Sequence, residues 1–167
     1  TYASADAGGN YRILAQRYDN NGDVVGSELQ LGSYSANMRQ HFGTIVQLTS
    51  GDLVFSWQKT SNNTAATMTD DKIFFQRFSL SGSNYIQETV ILELDHFTQV
   101  GSLNPRLAPL AAGGHVLVWR NLGFEPSGGT TWGVLAQIFD SNGSAIGPAF
   151  SLAQTNQGNH TYDPVVV

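Results

Sequence analysis

The segment Asp19-Asn20-Asn21-Gly22-Asp23 sets three oxygen-bearing side chains, Asp19, Asn21 and Asp23, at alternate positions around a glycine. That spacing suits a calcium ion, because alternate residues of a tight loop can turn their oxygens toward one centre. An EF-hand loop closes with a Glu at its twelfth position, and Gln30 stands there instead. A related segment keeps Asp140 and Asn142 but has Ser144 in the last place. The same residues serve a hairpin directly, since Asp and Asn side chains bond their own backbone and Asn-Gly tolerates a left-handed turn. The hairpin reading is therefore preferred. Calcium is the one cofactor the sequence brings into question, and no other is expected.

A second chemistry is sugar recognition, in which an aromatic ring stacks on the apolar face of a pyranose while amides and carboxylates take its hydroxyls. The stretch from Asn121 through Phe124 and Glu125 to Trp132 supplies both kinds of group. These four residues are the candidate ligand-binding set, with a glycan as the possible ligand. The equivalent stretch Ser61-Asn62-Asn63-Thr64 has amides without an aromatic. Catalysis finds less support. There is no Gly-x-Ser-x-Gly elbow, and Asp70, Asp71, Glu93, Asp95 and Glu125 fall in separate stretches with no pair singled out for glycosidic acid–base work. His41, His96, His115 and His160 lack the close spacing of a zinc site. His115 reads as a packed strand residue. The chain is expected not to be an enzyme.

These groups must be held by elements that the composition describes well. Charged residues make up 13% of the 167-residue chain, against 41% hydrophobic, and 18 glycines punctuate it. Surfaces solubilised by Ser, Thr, Asn and Gln, with glycine turns, are those of β-proteins. Only eight Lys and Arg occur within a net charge of -5, so the basic footprint needed for nucleic acid is missing. No apolar run reaches the length of a membrane span. The absence of cysteine fits a reducing cytosol or a secreted bacterial protein that avoids thiols, and the Asn/Thr/Gly-rich loops favour the latter.

The sequence repeats itself. Arg12-Ile13-Leu14-Ala15-Gln16-Arg17-Tyr18-Asp19 recurs as Lys72-Ile73-Phe74-Phe75-Gln76-Arg77-Phe78-Ser79 and as Gly133-Val134-Leu135-Ala136-Gln137-Ile138-Phe139-Asp140, with glutamines spaced by 60 and 61 residues. A second landmark, Leu48 to Trp57, recurs as Leu110 to Trp119, a spacing of 62. Two landmarks with one period define a tandem repeat. The approximate units are 11–71, 72–132 and 133–167, the last incomplete. Each reads as four short strands with no sustained helical period. Ile13 and Ala15 fall on one face of their strand, Leu14 and Tyr18 on the other, so the strand should be covered on both sides by stacked sheets. About three units of roughly sixty residues, each a four-stranded blade, give an all-β, β-propeller-like fold class.

The pattern Gly-Val-x-Ala-Gln-x-Phe-Asp-x-Asn-Gly, followed by Leu-x-x-Gly-x-x-Val-x-Trp, resembles the repeats of large secreted bacterial proteins of the RTX and adhesin type. The likeness spans nearly the whole chain and is best in copies one and three; copy two departs at Ser79. It implies a secreted or cell-surface setting and no particular activity, which points to a non-catalytic module for adhesion, display or assembly. A carbohydrate-binding lectin is the alternative, and a polysaccharide-acting enzyme a more distant one. Aligning Arg12 with Gly133 puts residues 1–10 on the loop 122–131, and Pro164 aligns with Pro105. Positions 109–121 of the second copy then have no counterpart in the third. The sheet edge near Val167 is therefore expected to be completed by further copies of the repeat, by another chain, or by a continuation of this one.

Overall fold

Runs of β-branched and aromatic residues broken by short Gly-, Asn- and Asp-containing turns form strands throughout. The computed structural model describes residues 2–5, 11–31, 38–61, 72–82, 84–94, 102–122, 132–154 and 164–166. The strands are β1 (Tyr2–Ala5), β2 (Tyr11–Tyr18), β3 (Val24–Leu31), β4 (Met38–Gln47), β5 (Leu53–Ser61), β6 (Lys72–Ser81), β7 (Asn84–Leu94), β8 (Ser102–Pro109), β9 (His115–Leu122), β10 (Trp132–Phe139) and β11 (Ala145–Gln154). The described residues contain no helix, hence none long and apolar enough to cross a membrane. The protein is all-β, as its composition and periodicity predict.

Three antiparallel sheets follow one another along the chain. Sheet 1 is β1-β2-β3, sheet 2 is β4-β5-β6-β7, and sheet 3 is β8-β9-β10-β11. The sheets are out of phase with the sequence units. A unit that starts at the glutamine strand β2 runs through β3 and then crosses into sheet 2, so each of the first two repeats contributes half to one sheet and half to the next.

Pairing registers align the copies. Trp57 faces Phe74, Trp119 faces Leu135, and Tyr2 faces Leu14. Phe74, Leu135 and Leu14 each lie two residues before the repeat glutamine, so Tyr2 holds the tryptophan position in sheet 1. This corrects the ungapped alignment that put residues 1–10 on a loop. Tyr2–Ala5 are strand, and the connection to β2 is shorter than those before β6 and β10.

Four hairpins use one turn. Gly22, Gly51, Gly113 and Gly143 donate their N–H to Asp19, Leu48, Leu110 and Asp140, three residues back, at 2.9–3.1 Å. Each has φ between +84° and +96°, the left-handed value that a type I turn with a glycine bulge needs and that Cβ disfavours.

The repeat glutamines lie opposite bulges. Pairing slips between Ala15 and Arg17, between Gln76 and Phe78, and between Ala136 and Ile138. A bulge leaves an outer-strand carbonyl without a ladder partner. The glutamine amide supplies one: Gln76 Nε2 donates to Glu88 O at 3.2 Å and Gln137 Nε2 to Gly147 O at 3.0 Å. Both side chains are buried.

Each sheet uses its two faces differently. Ile73 and Phe75 of sheet 2 join Leu117, Trp119, Leu135 and Phe139 of sheet 3 in one core. On the opposite face, Phe55, Trp57 and Phe78 join Ile13, Ala15 and Leu31 of sheet 1 in a second. Sheets 2 and 3 thus turn their Trp-equivalent face toward the preceding sheet, and sheets 1 and 2 turn their Ile-x-Phe/Ala face toward the following one. Burial on both sides explains why these strands are apolar on both faces.

Candidate functional site

The carboxylates of the Asn-Gly turns are built into the backbone. Asp19 Oδ1 accepts the amides of Asn21 at 2.8 Å and Asp23 at 2.9 Å. Asp140 Oδ1 does the same for Asn142 and Ser144, both at 2.8 Å. Bonds from these backbone amides hold the Asp19 carboxyl below its ordinary range, as expected when N–H donors stabilise the charged form. Asn21 and Asp23 therefore meet Asp19 through their main chains, in the geometry of a turn. No group of three His, Cys, Asp or Glu side chains placed to hold a metal ion occurs among the described residues.

Asp52, in the next hairpin, ties sheet 2 together. Its Oδ1 accepts the Leu80 amide at 2.8 Å, and its Oδ2 accepts the Ser50 hydroxyl at 2.8 Å and the Arg77 guanidinium. Burial pushes this carboxyl upward, but the Arg77, Leu80 and Ser50 donors outweigh it and the net displacement is downward. Glu88 accepts from Ser79 and lies 3.6 Å from Arg77 Nε. Glu28 accepts the Tyr2 hydroxyl, which pushes Tyr2 above its usual value.

The proposed sugar-stacking residues are not brought together by what is described. Asn121 lies within β9, opposite Gly133, and is 1% exposed; it is a sheet residue rather than the first residue of the loop. Trp132 begins β10 opposite Leu122, and its side chain, like the whole of Phe124 and Glu125, lies outside the described residues.

The surface that sequence reasoning missed consists of the two end faces of the sheet series. In sheets 2 and 3 the positions of Tyr2 and Tyr18 are held by Trp57 and Phe78 and by Trp119 and Phe139, each at most 1% exposed. In sheet 1, Tyr2 is 48% and Tyr18 58% exposed, and Val24, paired with Tyr18, is 61% exposed. At the other end, Ile146 pairs with Ile138 and Phe150 with Ala136, on the face that sheet 2 turns toward sheet 3. Ile146, Phe150 and the nearby Leu152 are 56%, 43% and 55% exposed. Exposed apolar clusters of this kind mark interaction surfaces. The signal in the sequence was the double-sided apolar pattern of β2 and β10, which calls for a cover on each side.

The sheet edges carry the same asymmetry. β5 and β9 have neighbours on both sides, whereas β1, their counterpart, pairs only with β2 among the described residues. Pro164, aligned with Pro105 of β8, is buried as Pro105 is, and Val165 beside it is 83% exposed.

No protein-family model, curated protein or solved structure matches this chain.

Proposed function

We propose that the protein is a non-catalytic extracellular or cell-surface scaffolding module whose blade-like sheets continue head to tail into further copies of the same repeat. The observation that carries this reading is the pair of apolar end faces. Tyr2, Tyr18 and Val24 sit on the kind of face that sheets 2 and 3 bury against a preceding sheet, and Ile146 and Phe150 on the kind buried against a following one. The natural cover for each is therefore the other, borne by a second copy. Such a contact is heterologous, and it closes into a ring or runs on as a filament. Two copies supply six sheets, within the roughly four to eight of a closed β-propeller. The segment around Pro164 of the neighbouring copy would lie beside β1 as β8 lies beside β9.

One further observation favours a module without chemistry of its own. Asp19, Asp52, Asp140, Glu28 and Glu88 are each engaged in hydrogen bonds within the frame. The extracellular setting rests on the Ser/Thr/Asn/Gly-rich composition and on the resemblance to RTX- and adhesin-type repeats.

The test is the native mass over a range of concentrations. Wild-type protein should form a discrete multiple of the chain or longer assemblies, while Tyr18→Asp and Phe150→Asp should each be monomeric alone. Mixed, the two variants should pair, because each keeps the face the other has lost, and the pairs should grow no further. A wild-type protein that stays monomeric at every concentration refutes the proposal, as does a mixture that fails to pair.

A further inference from the structure

The seam between sheets 1 and 2 lacks a ring that the seam between sheets 2 and 3 contains. In the latter, Phe75 packs edge-on against sheet 3, its ring centre 4.6 Å from that of Phe139 and 5.6 Å from that of His115. The residue of sheet 1 that corresponds to Phe75 is Ala15, one position before the repeat glutamine. The facing sheets correspond as well. Leu53 stands in sheet 2 where sheet 3 has His115, Phe78 where it has Phe139, and Ile45 where it has Leu107. His115, Phe139 and Leu107 are at most 6% exposed, whereas Ile45 is 42% exposed and Leu53 only partly buried. The frame is repeated and the plug is not.

A cavity of about 560 Å³ opens at this place, within the roughly 300–1,000 Å³ usual for small-molecule sites. Buried Ala15 and Phe55, with Leu29, Leu53 and Ile45, give it apolar walls. Exposed Ser27, Gln47 and Asn84 add polar groups on the solvent side, and the Gln47 amide is held by donating to Gly51 O at 3.2 Å. Among the described residues that line the cavity, Arg17 alone carries a charge, and it is already engaged. Its guanidinium lies over the Tyr85 ring, 5.8 Å from the centre, and it has a further interaction besides. A charged ligand would therefore give up its hydration on entering without gaining a free counter-charge.

We propose that this cavity binds a small neutral molecule built on a single aromatic ring with a hydroxyl at one end. The ring takes the place that Phe75 occupies in the other seam, against apolar walls that exclude water. The hydroxyl stays among Ser27, Gln47 and Asn84, whose side chains both donate and accept. The seam lies within one chain, so the site does not depend on the assembly proposed above.

The experiment is an NMR titration of the backbone amides of the full chain with 2-phenylethanol, and in parallel with 2-phenylethylammonium, phenylacetate and methyl α-glucopyranoside. The alcohol should perturb residues 15–17, 25–29, 45–47, 53–55 and 84–85. Both charged analogues should bind at least about tenfold more weakly. The sugar, which has no apolar ring to fill the seam, should leave these amides unmoved. Ala15→Phe supplies the missing plug and should abolish binding of the alcohol; should that variant not fold, Ile45→Trp fills the same space from the opposite wall. No localised response to the alcohol, a charged analogue that binds as tightly, a response of the same amides to the sugar, or binding that survives plugging would each overturn the assignment.

Discussion

His115 holds the position that Leu53 holds one repeat earlier, and it is buried at 1% exposure. Its ring stacks on Phe139 at 4.8 Å, and neither ring nitrogen has a hydrogen-bond partner among the described residues. Burial first, and the positive charge of Arg77 second, push its pKa down to about 4, against a smaller upward pull from Asp140. The unfolded chain therefore binds a proton more readily than the folded one between pH 6.5 and 4. Stability is complete above pH 6.5 and falls as the pH drops toward 4, by up to about 3 kcal/mol from this group. His115→Leu should flatten that fall and add about 1 kcal/mol at pH 7 by removing two buried unsatisfied nitrogens. Urea unfolding of both proteins at pH 7 and pH 4.5 measures it, and an unchanged pH dependence would mean the imidazole is hydrated in the folded state.

At the scale of the element, turns and bulges carry the specificity. Asp140 accepts two amides of the exposed turn, so Asp140→Ala should cost about 1 kcal/mol, with Asp140→Ser, which keeps an acceptor, costing less. Denaturant midpoints decide this. Because Asp19 is committed to the same turn, millimolar calcium should leave the thermal midpoint unchanged; a rise abolished by Asp19→Ala would instead assign an ion there. Gln137 is the other device. Gln137→Leu keeps the volume but removes the bond from the buried side chain to the carbonyl of the exposed Gly147, which should cost about 0.5–1.5 kcal/mol. If the loss is negligible, the amide bond contributes nothing net and the recurring glutamine needs another explanation.

For the whole molecule, the governing feature is that each sheet needs a neighbour on both sides. Sheet 2 has two, whereas sheets 1 and 3 each leave apolar side chains facing water. Covering Tyr2, Tyr18 and Val24 with Ile146, Phe150 and Leu152 removes both exposures in one contact. At about 25 cal/mol per Å² of apolar area, a few hundred Å² on each side is worth several kcal/mol before the cost of association. Assembly should consequently raise the thermal midpoint with protein concentration. Tyr18→Asp should abolish that dependence while leaving the monomer folded, since the side chain is already largely exposed. A midpoint independent of concentration for the wild type would argue against self-association.

The sequence by itself determined what is local. Strand identity, the glycine turns at Gly22, Gly51, Gly113 and Gly143, the recurring glutamines and the double-sided apolar pattern of β2 all follow from residue type and short-range spacing. Their physics involves a few neighbouring residues and one hairpin at a time. Only the tertiary structure decided which hairpins share a sheet, because that depends on packing between segments far apart in the chain. For the same reason it alone put Tyr2 at a tryptophan position and Asn121 inside a strand. It also turned an unremarkable difference, Ala15 where another copy has Phe75, into a cavity, since a missing ring becomes empty space only once two sheets face each other.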